Sequence, residues 1–414
     1  MKPRASSQWF VLALLVISVS INYVDRGNLS IAADRLASEL SLNPAQVGLL
    51  LSSFFWTYAG LQIFSGWLID RYHVYWIYAA GFFIWSAATG LTGLAHGFWI
   101  IFSLRLLLGA GESVAYPSYS KIIAGGFPEQ QRGLANALID IGSKSGPAIG
   151  LMVGGTIVSR FGWRTMFVAI GVASMLWLVP WCLMTRRATR LLPATVAGSD
   201  EGPGWREILT QRSAWGTFLS LFCGNYAWYF LLTWLPWYMV RERHYSTERM
   251  AIFGSLPFWG VGLASLASGW LSDRLVARGG SPTVVRKSFA VTGMLLGMLM
   301  LPVSILENET VSMALLMAAC IGFGFYSSHP WLITQRLAGP VAAGRWSGFQ
   351  NAIGNLAGIV APVLTSWIVK ETGRFLYAFI VVAAMLAIGA ASYLFIVGPV
   401  EPIVWRARRL AARS

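Results

Sequence analysis

Charge is what this chain has least of. Only 12% of its 414 residues are Asp, Glu, Lys or Arg, about half the share of a soluble domain. So few charges cannot cover a water-facing surface, which excludes a soluble globular fold. Acids are scarcer still, 17 against 31 basic residues. The three cysteines, Cys182, Cys223 and Cys320, all fall in apolar stretches, which excludes a disulfide framework and a zinc site. No His-Asp pair or metal-ligand cluster occurs at workable spacing, so no metal, no cofactor and no enzyme chemistry is expected. A Gly-x-x-x-x-Gly-Lys-Ser/Thr loop is missing, which disfavours nucleotide-driven pumping. The first apolar run is long, ends in charged residues and lacks a small-x-small cleavage site, unlike a cleavable signal peptide.

What is present is apolar surface. Hydrophobic residues make up 56% of the chain and mean hydropathy is +0.59, the composition of a protein whose solvent is lipid. At ~20 apolar residues per crossing, the sequence predicts an all-α membrane protein with twelve transmembrane helices, near 9–30, 45–69, 74–95, 97–121, 130–158, 163–185, 213–240, 248–272, 286–306, 310–335, 346–369 and 374–397. The 43 Gly and 17 Pro suit such a bundle, where small residues let helices approach and neighbours re-satisfy a broken backbone.

The basic excess follows topology rather than nucleic acid. With both termini cytoplasmic, 20 of the 31 Lys and Arg fall on the cytoplasmic side and eight on the other, as the positive-inside rule requires. No nucleic acid partner is expected; the inner (plasma) membrane is. The tail "WRARRLAARS" reads as a solvated topogenic segment, with contact to anionic lipid as the alternative.

The chain repeats itself. "SGWLIDR" at 65–71 returns as "SGWLSDR" at 268–274, and "GSKSG" at 142–146 is echoed by "GNLAG" at 354–358. The one substantial polar, Pro/Gly-spotted stretch lies between the copies. The division expected is an N-terminal six-helix half (1–185), a cytoplasmic linker (186–212) and a C-terminal six-helix half (213–414), a pseudo-symmetric plan used by transporters. Within the repeat, Gly66 and Gly269 admit a neighbouring helix. Asp70 with Arg71, and Asp273 with Arg274, sit at helix ends where ion pairs can form in one conformation and break in another.

Three basic residues remain inside the membrane, Arg26, Arg105 and Lys144, with the acids Asp25, Glu112 and Asp140 at similar depth. Each such charge costs ~2.5–3.5 kcal/mol even on lenient insertion scales, so these groups are expected to line a polar path and to have partners. Arg105 and Glu112 are two helical turns apart and share a face. An arginine fork holds a carboxylate through two parallel hydrogen bonds, and a glutamate in a low-dielectric site suits proton loading. Together they carry the charge logic of an anion–proton symporter. Asp25 and Arg26, about 100° apart on their helix, cannot both enter one cavity. Arg26 is expected to support Glu112 or the anion, and Asp25 to be a second proton site. Asp140 and Lys144, at i,i+4, either neutralise each other or give the substrate a second positive contact through Lys144.

The segments "NYVDRGNLS", "LRLLLGAGESVAYPS", "GFPEQQRG" and "WYFLLTWLPWYM" resemble the anion:cation symporter family of the major facilitator superfamily. That family holds bacterial galactonate- and hexuronate-type sugar-acid carriers and relatives of sialin and the vesicular glutamate transporters. The repeated Gly-x-x-x-Asp-Arg is similar to the superfamily's loop 2–3 signature, although Tyr72, His73 and Val74 stand where Gly-Arg-Arg is usual. The resemblance implies a single-chain carrier that couples protons to a small organic anion. Arg105 would bind its carboxylate with Arg26 in support, Asp25 and Glu112 would switch protonation, and Tyr58 would line the cavity. Ser328, Asn351 and, one turn on, Asn355 would meet substrate hydroxyls. Lys144 departs from the galactonate-type pattern and suits a dicarboxylate, uronic or aldaric acid. Trp331, Trp56 or Trp228 would suit an aromatic one. His329, beside Pro330, reads more readily as a packed histidine than as a proton carrier. An organic-anion exchanger or uniporter is the rival within the class.

Overall fold

The computed structural model describes residues 5–127, 129–188, 203 and 205–405. Among them the chain is helical throughout, with no strand. In order the helices are α1 (Ala5–Glu39), α2 (Pro44–Arg71), α3 (Val74–Thr92), α4 (Phe98–Glu112), α5 (Ala115–Gly126), α6 (Glu129–Leu176), α7 (Leu178–Ala188), α8 (Trp205–Leu209), α9 (Arg212–Arg241), α10 (Thr247–Ala277), α11 (Pro282–Gly297), α12 (Met300–Val303), α13 (Glu309–Ser327), α14 (His329–Thr372) and α15 (Leu376–Ala391). Ten helical stretches among the described residues are long and apolar enough to cross a membrane. One of them, Leu138–Thr185, has 48 residues, about 72 Å at 1.5 Å per residue, enough for two crossings. It breaks at Gly162, where φ is 84°, a value only glycine adopts freely. The 28-residue α2 completes the twelve-helix plan; Asn43 and Gln46 close its capping box and Pro44 its first turn.

The chain divides into two compact units, Met1–Val196 with Leu232–Leu256, and Ala197–Leu231 with Pro257–Ser414. The first unit thus takes in the end of α9 and the start of α10. The linker foreseen at 186–212 falls mostly on residues outside those described, as do the surroundings of Gly66 and the side chains of Asp70 and Arg71.

Within the first unit, α1 lies along α6 over a row of glycines. A Cβ on Gly142 would stand 2.5 Å from Val19, and one on Gly146 would stand 2.6 Å from both the Ser20 carbonyl and the Tyr23 side chain. The small-xxx-small spacing is what lets two backbones meet without a hydrophobic driving force between them. α4 meets α2 in the same way: Gly109 faces the Phe54 carbonyl, and Thr57 Oγ1 donates to the Leu106 carbonyl at 2.6 Å. At the α1 end of this unit Asp34 pairs with Arg241, and Arg164 with Glu39 at 2.9 Å.

Within the second unit Tyr326 of α13 is the pivot, packed against Gly224 and Gly293 and donating to the Ser220 carbonyl at 3.1 Å. At the repeated motif, Asp273 pairs with Arg286, and the Arg274 guanidinium lies 5.2 Å from the Trp270 ring centroid. Cys223 and Cys320 are buried free thiols, and Cys182 is a half-buried one.

The glycine row has a direct consequence. Gly146→Leu should force α1 off α6 at the level of the buried charges. Overpacking costs ~1–3 kcal/mol, read as a lower melting temperature of the detergent-solubilised protein; Ser145→Ala, one residue away, should leave it unchanged.

Candidate functional site

The expected fourth helix is present as one membrane-length stretch, Phe98–Ile123, interrupted by a turn at Ser113 and Val114. α4 ends at Glu112 and α5 begins at Ala115, with Pro117 in the first turn of α5. Proline cannot donate to the carbonyl four residues back, that of Ser113, so the ladder opens there. Ser113 turns its hydroxyl to the Ala110 carbonyl at 2.7 Å and to Ser65 Oγ at 2.6 Å. The break leaves Glu112 at the carbonyl end of α4, where the helix dipole gives an anion no support. Support comes from α1. Arg26 Nε donates to Glu112 Oε2 at 2.8 Å, and the side chains are 2% and 0% exposed.

The Arg26 guanidinium is also ringed by aromatics, 4.3 Å from the Tyr58 centroid, 4.6 Å from Tyr23 and 5.1 Å from Phe54. Desolvated cation–π contacts of this kind contribute ~2 kcal/mol or more. Tyr58 stacks on Phe54 at 5.1 Å, so its ring serves the arginine. Phe54, absent from the sequence reading, lies under both arginines, since Arg105 sits 5.5 Å above its ring. Its signal was the spacing of four from Tyr58.

Asp25 and Arg26 diverge, as neighbours on a helix must. Asp25 Oδ1 accepts from Asn28 Nδ2 at 3.2 Å, and its side chain faces Thr89 of α3. Arg105 is buried yet lightly held: Nη1 reaches the Asp25 main-chain carbonyl at 3.4 Å, and Nε has no hydrogen-bond partner among the described residues. Asp25 Oδ2 and Glu112 Oε1 have none either. Asn22, one turn before Arg26, faces Glu112. It too escaped the sequence reading, although its i,i+4 spacing from Arg26 placed it on that face. The first unit therefore brings Asp25, Arg26, Tyr58, Arg105 and Glu112 into one buried cluster of two acids and two arginines.

Lys144 is half-buried on α6. It shares a face with Leu151 and Gly155, seven and eleven residues on, which meet Gly254 and Ala251, so it points to the α10 side rather than toward α1. Asp140 is exposed, and Ser143 donates to its main-chain carbonyl at 2.7 Å.

In the second unit Asn355 accepts from the Tyr229 hydroxyl at 2.6 Å and donates to the Asn351 carbonyl at 2.9 Å. Asn351 and Trp331 are half-buried. Ser328 Oγ lies 3.4 Å from His329 Nδ1, and the buried His329 ring stacks parallel on Phe289 at 5.1 Å, a packed histidine. Trp228 packs edge-on to Phe258 in the core, and Trp56 is exposed.

Cutting the central pair tests its weight. Arg26→Ala strands a buried carboxylate, at a cost of ~3–5 kcal/mol. Glu112→Gln keeps an acceptor for Arg26 inside its aromatic ring. Thermal unfolding should rank Arg26→Ala below Glu112→Gln, with the double variant recovering part of the loss. Equal melting temperatures would contradict the pairing.

Comparison with known proteins bears on the family and the fold. Residues 15–362 match the family model described as Major Facilitator Superfamily. The chain is 30% identical over 430 residues to the probable galactarate/D-glucarate transporter GudP of Bacillus subtilis, covering 97% of this chain and 94% of that one. It is 30% identical over 400 residues to the hexuronate transporter of Bacillus subtilis, covering 94% of each. It is 28% identical over 411 residues to the probable sulfoacetate transporter SauU of Cupriavidus necator, covering 96% and 95%. In fold it is similar to the crystal structure of a bacterial homolog of the human lysosomal transporter Spinster, inward-facing and unoccupied. There the TM-score is 0.76 at 19% identity, over 95% of this chain and 96% of that one.

Proposed function

The chain belongs to the major facilitator superfamily and is a multi-pass membrane transporter, and we propose that it imports an organic carboxylate, a sugar acid, together with protons. The observation that carries this reading is the buried quartet. Glu112 holds Arg26 at 2.8 Å, while Arg105 stands beside them with its Nε uncommitted among the described residues. An acid that is paired when ionised and free of its arginine when protonated couples a proton to anion affinity.

The proposed cycle is alternating access by two halves, 1–185 and 213–414, joined by the cytoplasmic segment 186–212. Protons taken up outside neutralise Asp25 and Glu112, so Arg105 and Arg26 are free to hold a carboxylate. Inside, the acids ionise, Glu112 recaptures Arg26, and the anion leaves. Ser328, Asn351, Asn355 and Trp331 of the second half read the rest of the substrate. Lys144 favours a second carboxylate, which suits the galactarate/D-glucarate naming of relatives such as GudP. Asp70–Arg71 and Asp273–Arg274, with Gly66 and Gly269, are the proposed switch at the cytoplasmic helix ends. The proposed setting is the inner membrane, both termini cytoplasmic, with the single chain as the working unit.

Uptake of labelled glucarate, glucuronate and gluconate into proteoliposomes tests this. Accumulation should rise as external pH falls, because only the protonated acids release the arginines. Arg105→Ala should lower uptake about 10- to 100-fold, the loss of a charge-assisted hydrogen bond. Glu112→Gln should abolish accumulation above the equal-concentration level yet keep substrate exchange; unchanged accumulation would reject proton coupling through Glu112.

A further inference from the structure

Two arginines of like charge lie over one phenyl ring. The Arg26 guanidinium of α1 stands 5.1 Å from the Phe54 centroid, and that of Arg105 on α4 stands 5.5 Å from it. Cations so placed repel each other, the more strongly where water is excluded. The acids hold them unequally. Glu112 takes Arg26 at 2.8 Å. Arg105 has a 3.4 Å hydrogen bond to the Asp25 main-chain carbonyl, and its Nε has no partner among the described residues. Arg26 is also backed by the Tyr23 and Tyr58 rings; Phe54 is the ring that meets Arg105 as well.

That ring is fixed from several sides. Phe54 is 0% exposed. Tyr58 stacks on it at 5.1 Å and Phe55 meets it edge-on at 4.9 Å. Its main chain sits at the α2–α4 crossing, where a Cβ on Gly109 would run into the Phe54 carbonyl. A phenyl face carries negative quadrupole and attracts cations without bearing a charge of its own. Its attraction is therefore present whether the neighbouring acids are ionised or not.

We propose that Phe54 is a positioning residue for the anion site: its ring holds Arg26 and Arg105 together in the proton-loaded state, when both acids are neutral and no anion is bound. This rests on the symport reading above. With Asp25 and Glu112 ionised, the cluster sums to zero and the ring adds little. With both protonated, two cations remain over one ring, and its quadrupole offsets their repulsion. Phe54 thus favours the proton-loaded state over the ionised one. It thereby sets how acid the outside must be before the arginines are free for a carboxylate. Phe54 itself touches no substrate and exchanges no proton. The titratable groups around the two arginines are Asp25 and Tyr23 on α1, Tyr58 on α2, Glu112 on α4, and Tyr116 on α5, whose hydroxyl is 3.2 Å from that of Tyr23. Tyr78 of α3 and Tyr119 of α5, their oxygens 3.0 Å apart, face the Glu112 charge from the other side.

The test replaces Phe54 in the full-length protein by phenylalanines carrying one, two and three ring fluorines. Fluorine drains the quadrupole in steps and leaves the size of the side chain nearly unchanged. Uptake into proteoliposomes is followed across external pH at fixed internal pH, with the best transported of labelled glucarate, glucuronate and gluconate. The pH of half-maximal uptake should move lower step by step, by about one unit at three fluorines, the order of one desolvated cation–π contact. The maximal rate at the acid end should hold. Phe54→Leu, which removes the ring altogether, should shift the profile at least as far in the same direction. A profile that stays at the wild-type pH through the series, or moves to higher pH, would overturn the proposal. So would a shift in Phe54→Leu with none from fluorine, which assigns Phe54 to packing alone. Should the wild type show no pH-dependent uptake of any of the three acids, the symport reading fails, and this inference with it.

Discussion

Everything in the first unit is arranged around a charge pair that lipid would not tolerate unpaired. Arg26 and Glu112 meet at 2.8 Å with almost no exposed surface. Removing either charge alone leaves the other stranded, and that asymmetry makes a buried pair costly to break even where its net contribution to stability is small. Such a pair is therefore a poor staple and a good switch. Protonation is the one event that removes a charge without removing a side chain. The Tyr23, Phe54 and Tyr58 rings around Arg26 keep the guanidinium placed when its partner turns neutral, so the cluster can change charge without collapsing.

The pair dictates the packing around it. Glu112 meets α1 next to the turn where the hydrogen-bond ladder opens, an opening that follows from Pro117 and is lined by the Ser113 hydroxyl bonds. α1 is held in place by Gly142 and Gly146 on α6, where there is no room for a side chain. Phe54, beneath both arginines, stands at the same crossing as Gly109, whose missing Cβ lets α4 sit on the Phe54 carbonyl. Backbone proximity, aromatic floor and charge pair are one construction: widening any of the helix contacts separates the charges.

Much of this was legible in the sequence because lipid makes charge informative. In a membrane helix each ionisable residue needs a reason, so Asp25, Arg26, Arg105 and Glu112 could be picked out and grouped by helical phase, and the structure gathers them. The divergence of Asp25 from Arg26 followed from the 100° turn per residue. What escaped were neutral residues. Asn22, Phe54 and Thr89 carry no cost that flags them among many polar and aromatic residues, and their importance comes only from what they face. The turn inside the fourth helix was not foreseen for a similar reason, since proline in a membrane helix can mean a kink, a break or nothing, depending on the neighbouring hydroxyls. The second unit was least legible: Ser328, Asn351 and Asn355 came from resemblance alone, and Asn355 proves tied to Tyr229. The surroundings of Gly66 and the side chains of Asp70 and Arg71 lie outside those described, so that motif rests on its repeat, where Asp273 pairs with Arg286.

The charge inventory of the cluster also limits what it can carry. Two acids and two arginines sum to zero when all are ionised, which is the state a buried site tolerates with nothing bound. A bound monoanion leaves one excess negative charge in the cluster, and one proton on Glu112 or Asp25 restores neutrality. A dianion needs two protons, or one proton and a further cation. Lys144, half-buried on the α10 face of α6, is the cation of the described part of α6 that could serve. Under the proposed symport, proton number and substrate charge are therefore not independent properties of this protein. A carrier of aldaric acids that relies on both acids imports two protons per dianion, and one that recruits Lys144 imports one. If both buried acids carry protons as proposed, where a single acid would serve a monoanion, that count fits a substrate with two carboxylates.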